Sequence, residues 1–169
     1  AESDGSDVRI AFDLVLIAIG RKANVTNMGL EELNIELNPQ GTVAINEYGR
    51  TSIPTIYACG DVAGPYQFTH TASHMAWYAS VNALFGLFWR FKVDYSAIPS
   101  CTFTSPEVAR VGLNEREAGE QGIAFEVTRF ELAELDRARI DGWAEGFVKI
   151  LTQPGKDRIL GVTIVGHLS

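Results

Sequence analysis

The chain has 169 residues, 46% of them hydrophobic, and a formal net charge of −7. That length accommodates one domain with a sizeable core or two small ones, and the composition is that of a soluble globular protein. The acidic balance argues against nucleic acid or an anionic membrane surface as partner.

Residues 1–8 are polar and expected to fray. They contain neither an initiating methionine nor a signal-peptide pattern, which suggests a piece cut from something longer. Residues 12–19 form an apolar run interrupted only by Asp13, predicting a strand covered on both faces, closed by Gly20-Arg21-Lys22. Asn27 is placed to cap a short helix through Leu33. Residues 34–37 and 42–45 predict two short strands about the turn at 38–41.

Residues 51–61 carry the strongest local signal. Positions 55–59 predict a short buried strand with Pro54 at its entry, where a missing N–H does least harm. Ala58 and Gly60 have almost no side chain and would let another molecule approach the backbone. Asp61 follows the strand's carboxyl end, where ligands bind in open α/β sheets. An ionised carboxylate there can accept hydrogen bonds from polyol hydroxyls, while the next helix aims its free N–H groups at an electron-rich atom. The same residues also suit an ordinary turn between strand and helix.

After a loop over 62–70, residues 71–91 predict a helix apolar on most faces. Its length invites a membrane-spanning reading, but His74, Asn82 and Arg90 favour a helix buried between a sheet and a neighbouring domain. The aromatic end, Phe85, Phe88, Trp89 and Phe91, is expected to lie against other parts of a larger protein. The character of the chain changes near residue 94, where a second domain begins. Strands are predicted at 100–104 and 108–112, with a turn at 105–107 between them. Asn114 and Glu117 have capping-box spacing for a short helix that Gly122 ends. A strand at 125–130, an irregular charged stretch at 131–141, and a hairpin of 147–151 with 159–165 complete a small α+β domain.

Cys59 and Cys101 are spaced neither as a Cys-x-x-Cys pair nor as a zinc knuckle. Each is expected as a small buried hydrophobe with no redox or metal-binding role, and two free thiols suggest a reducing, cytoplasmic setting.

Thr51, Pro54, Ile56-Tyr57-Ala58 and Gly60-Asp61 resemble the second FAD motif of the class I pyridine nucleotide-disulfide oxidoreductases, which include dihydrolipoamide dehydrogenase and mercuric reductase. Residues 19–24 and 103–109 resemble two further family segments in the right order. The resemblance implies a fold of mixed class, α/β and α+β. Residues 1–93 would be the C-terminal part of an FAD/NAD(P)-binding region, and 94–169 an incomplete dimerisation domain. It implies FAD contacts at Gly60, Asp61, Gln67, Phe68, Thr69 and His70, the last through its backbone more than its ring, and NAD(P) contacts at Gly20 and Arg21. Gly20 also reads as a glycine the turn requires.

No Gly-x-Gly-x-x-Gly loop, redox-active cysteine pair or late His–Glu pair is present, so no catalytic residue is assigned. The expected function is part of a flavoenzyme passing electrons from NAD(P)H through FAD to a disulfide or, as in the mercuric relatives, a metal ion. The piece alone is expected to be inactive. It would belong to a homodimer with small-molecule cofactors and neither nucleic acid nor membrane as partner. One face of its second-domain sheet would be bare or covered by another copy. The alternative is an assembly module with no ligand site of its own.

Overall fold

The computed structural model describes residues 10–167; the expectation of fraying at 1–8 lies outside them. Two compact units divide the chain, Ala1–Phe91 and Lys92–Ser169.

In the first unit a small core forms around Val25, Ile35 and Val43, joined by Leu30, Ile45, Ile53, Ile56 and Val62. Its backbone is held by single bridges rather than ladders. Leu37 pairs with Val43 and Arg50 with Tyr57. Thr51, itself buried, closes the intervening turn: its amide and hydroxyl both donate to the Ile56 carbonyl. The expected strand at 55–59 is therefore one bridge at Tyr57, and the pair 34–37 and 42–45 is one bridge across a hydrogen-bonded turn.

The expected strand at 12–19 does not form. Residues 11–20 are all exposed, and Leu14, Leu16 and Ile19 are at least 90% exposed. A strand exists only through a partner's N–H and C=O groups, and this run pairs with none of the described strands. The expected helix after Asn27 is also absent. Asn27 and Asn34 take positive φ of 58° and 52°, which fold the segment into turns.

Helix α1 runs Thr69–Phe85, shorter than the 71–91 expected. It ends where Asn82, 2% exposed, turns its side chain onto the chain that follows. Its Nδ2 donates to the carbonyls of Phe91 and Tyr48, and its Oδ1 accepts from the Phe91 amide. No helix among the described residues is long and apolar enough to cross a membrane.

The second unit is a five-stranded antiparallel sheet in the order β1-β2-β5-β4-β3. Its strands are β1 (Ser100–Thr102), β2 (Glu107–Gly112), β3 (Glu126–Glu131), β4 (Phe147–Thr152) and β5 (Ile159–Gly166). Helix α2, Glu115–Glu120, opens with the capping box that Asn114 and Glu117 predict. Register places Lys149, Thr163 and Arg110 in one row on one face of the sheet. Two ion pairs seat α2 over that row, Lys149 with Glu115 at 2.7 Å and Arg110 with Glu117 at 2.6 Å. Beneath them Ala118 and Leu151 are fully buried. The alternate residues Val148, Ile150, Val162, Ile164 and Val111 share the other face, and all are only half-buried. The charged stretch expected to be irregular contains a 3-10 turn at Leu132–Glu134 and helix α3, Asp136–Ile140.

Candidate functional site

The rim of the first unit carries the site. Gly60, buried and at φ +76°, opens a 3-10 turn over Gly60–Val62, and its carbonyl accepts from the amides of Ala63 and Gly64. A Cβ at this position would stand 3.1 Å from the Ala72 Cβ. The missing side chain thus admits α1 itself, whereas the sequence suggested room for another molecule.

Asp61 projects outward. Its side chain is 48% exposed, and Arg21 Nη1 approaches its Oδ2 at 3.4 Å. The same Arg21 nitrogen donates to the Gln67 carbonyl at 3.0 Å. Arg21, Asp61 and Gln67 therefore meet at one point, although residues 20–21 and 60–70 were expected to contact different cofactors. Gly20, at φ +144°, is exposed and has nothing within 4 Å of where its Cβ would stand.

Residues 66–68 lead without regular structure into α1. Tyr66 stacks on Phe68 at 6.3 Å, and Phe68 on His70, in the first turn of the helix, at 5.3 Å. Phe68 caps α1 with extended backbone and no side-chain hydrogen bond, and the first turn holds no acidic residue. The positive end of the helix dipole thus draws no capping hydrogen bond from Phe68 and no carboxylate from its own first turn. Thr71, in that first turn, is fully buried, and its hydroxyl has no hydrogen-bond partner. No sequence feature marked Thr71, because a threonine in a predicted helix carries no sign of where its hydroxyl will lie.

An outward carboxylate and a helix N-terminus without a side-chain cap can together take a ligand with hydroxyls at one end and an electron-rich ring at the other. Such an arrangement fits a flavin dinucleotide. Cys59 and Cys101 are free and half-buried, less enclosed than expected, since Cys59 lies beside a turn instead of inside a sheet. Among the described residues no cluster of histidine, cysteine and acidic side chains could hold a metal ion.

Two family models match the chain: the pyridine nucleotide-disulphide oxidoreductase model over residues 2–76, and that family's dimerisation domain over 98–169. The chain is 40% identical over 166 residues to the mitochondrial dihydrolipoyl dehydrogenase of Sus scrofa, covering 98% of this chain and 32% of that protein. It is 37% identical over 155 residues to the dihydrolipoyl dehydrogenase of Chlamydia muridarum, covering 92% of this chain and 33% of that protein. The chain thus spans about a third of the length of these relatives. Among solved structures, LpdA from Mycobacterium tuberculosis superposes with a TM-score of 0.76 at 25% identity, over 85% of this chain and 31% of that one. The HOCl-induced flavoprotein disulfide reductase RclA from Escherichia coli superposes with a TM-score of 0.75 at 26% identity, over 89% and 34%.

Proposed function

Because this chain belongs to the pyridine nucleotide-disulphide oxidoreductase family, we propose that the protein carrying it is an FAD-dependent enzyme that moves electrons from NAD(P)H to a disulfide or a metal ion. The observation that carries this reading is the outward Asp61 carboxylate beside the uncapped N-terminus of α1. FAD, when bound, supplies the capacity to take a hydride and release electrons singly or in pairs.

The chain's own residues then have distinct tasks. Asp61 accepts hydrogen bonds from the polyol. The exposed Arg21 contact is worth at most about 1 kcal/mol and yields readily to a hydroxyl. The amides of Thr69 and His70 face the electron-rich edge of the ring. Gln67 and Phe68 line the approach. Gly20 and Arg21 contact the nicotinamide cofactor, where a glycine lets a dinucleotide lie against the backbone. The half-buried aliphatic face of the second unit joins the rest of the subunit or a second copy in a homodimer. The segment 66–70 and the aromatic end of α1 favour a mercuric reductase-like acceptor over a lipoyl one. The free thiols fit a cytoplasmic setting.

The test is flavin retention in the full-length protein. Asp61→Asn keeps the shape but loses the charge, and is expected to lower the flavin-to-protein absorbance ratio after gel filtration while leaving the melting temperature of the flavin-free protein unchanged. Full flavin retention by this variant would refute the assignment of Asp61. The 169-residue chain on its own is expected to show no NAD(P)H oxidation; measurable turnover would overturn that expectation.

A further inference from the structure

Two cofactor segments meet at one side chain. Arg21 follows the glycine assigned to the nicotinamide cofactor, yet it reaches two residues assigned to the flavin, 40 and 46 positions along the chain. A single nitrogen makes both contacts. Nη1 donates to the Gln67 carbonyl at 3.0 Å and approaches Asp61 Oδ2 at 3.4 Å. The first is an ordinary hydrogen bond, and the second is longer than such bonds usually are, so the carboxylate is the weaker of the two holds.

Nε and Nη2 of the same guanidinium have no hydrogen-bond partner among the described residues, and the side chain is 67% exposed. Those nitrogens present their N–H groups as a rigid fork, which matches the oxygens of a phosphate better than a point charge does. The tether to Gln67 is a backbone contact that does not involve Asp61. It keeps the fork at the rim of the site whether or not the carboxylate holds on.

We propose that Arg21 couples the two cofactor sites. Asp61 Oδ2 is sought both by Arg21 and by the hydroxyls of the flavin's polyol. Arg21 is sought both by Asp61 and by the anionic diphosphate of the nicotinamide cofactor. The Arg21–Asp61 pair therefore competes with both ligands at once, and whichever binds first removes a contact that the second would otherwise break. Each ligand strengthens the other by the same factor, because coupling between two binding events is reciprocal. This rests on the assignment of Asp61 to flavin and of Gly20 and Arg21 to the nicotinamide cofactor.

The pair itself sets the size of the effect. Both partners are well exposed, 67% and 48%, and exposed ion pairs favour the paired form by a factor of about five at most. The coupling cannot exceed that factor, and salt should weaken it as it weakens the pair.

A binding cycle on the full-length protein tests the proposal. Titrations with NAD+ and NADP+ compare flavin-loaded with flavin-stripped protein, for the wild type and for Arg21→Gln. Direct contact between the two cofactors contributes equally to both proteins and cancels in the comparison. Flavin is expected to enhance dinucleotide binding about two- to fivefold more in the wild type than in the variant. Asp61→Asn should lower the enhancement as Arg21→Gln does, and the two together should lower it no further, since either one breaks the pair. In the wild type alone the enhancement should shrink at about 0.5 M NaCl. Equal enhancement in wild type and Arg21→Gln overturns the proposal, as does a further drop in the double variant or an enhancement that salt leaves unchanged. These results would leave the flavin assignment standing, whereas full flavin retention by Asp61→Asn removes that assignment and the coupling with it.

Discussion

Gly60→Ala tests whether the turn bearing Asp61 is held by α1. The residue sits at φ +76°, a conformation that costs an L-residue about 1–2 kcal/mol. The new Cβ would lie 3.1 Å from the Ala72 Cβ, so α1 or the turn must give by a few tenths of an ångström. Overpacking of that kind costs about 1–3 kcal/mol, and so small a shift belongs at the lower end. The sum is about 2–3 kcal/mol, a factor of about 30 to 150 in the unfolding equilibrium. Urea unfolding of the full-length protein, followed by intrinsic fluorescence, measures this, and flavin release reports the site. Ala72→Gly separates the two causes. Alone it costs about 1 kcal/mol of helix propensity; combined with Gly60→Ala it removes the close contact and leaves the backbone strain. The double variant should therefore be more stable than the sum of the singles by about 1 kcal/mol. A Gly60→Ala protein within about 0.5 kcal/mol of wild type, or strict additivity in the cycle, would refute the reasoning.

Asn82→Ala should cost about 2–4 kcal/mol, because it strands the Tyr48 carbonyl and both polar groups of Phe91. Thermal denaturation reads the loss, and faster hydrogen exchange at the Phe91 amide should accompany it; unchanged exchange would show that the grip is not structural. Acid should loosen the second unit through α2. Hydrogen bonding to Lys149 holds the Glu115 carboxyl below the usual glutamate range, and hydrogen bonding to Arg110 does the same for Glu117. A carboxyl lowered in the folded state contributes stability above its unfolded pKa, near 4.3, and loses it as pH falls through the lower folded value. Glu117→Gln should therefore flatten the decline in urea stability below about pH 4.5, and an identical pH slope in the variant would contradict this.

Legibility in the sequence follows how local each element's partners are. The capping box at Asn114 and Glu117 is complete within four residues, and the β4–β5 hairpin closes across one turn, so pattern and structure agree there. The order β1-β2-β5-β4-β3 sets β2 beside β5, about fifty residues on, and no local pattern announces that. In the first unit the apolar runs at 12–19 and 55–59 have strand propensity, but propensity does not create a ladder without a neighbour. The helix prediction overran α1 because residues 84–91 stay apolar past its end. The terminator is a side chain, Asn82, bonding nine residues ahead.

The site was legible in kind but not in geometry. A small residue, a glycine and an acid after an apolar stretch correctly marked a turn with an outward carboxylate. What lies against the glycine was not legible locally, because the space where its Cβ would stand is taken by Ala72, twelve residues later. The consequence bears on mechanism. If Gly60 exists for α1, then the carboxylate of Asp61 and the first amides of α1 are parts of one rigid piece, set relative to each other by the Gly60–Ala72 contact. A ligand gripping both ends would meet a site whose spacing is fixed before it arrives, and whatever loosens that contact should weaken the hold at both ends together.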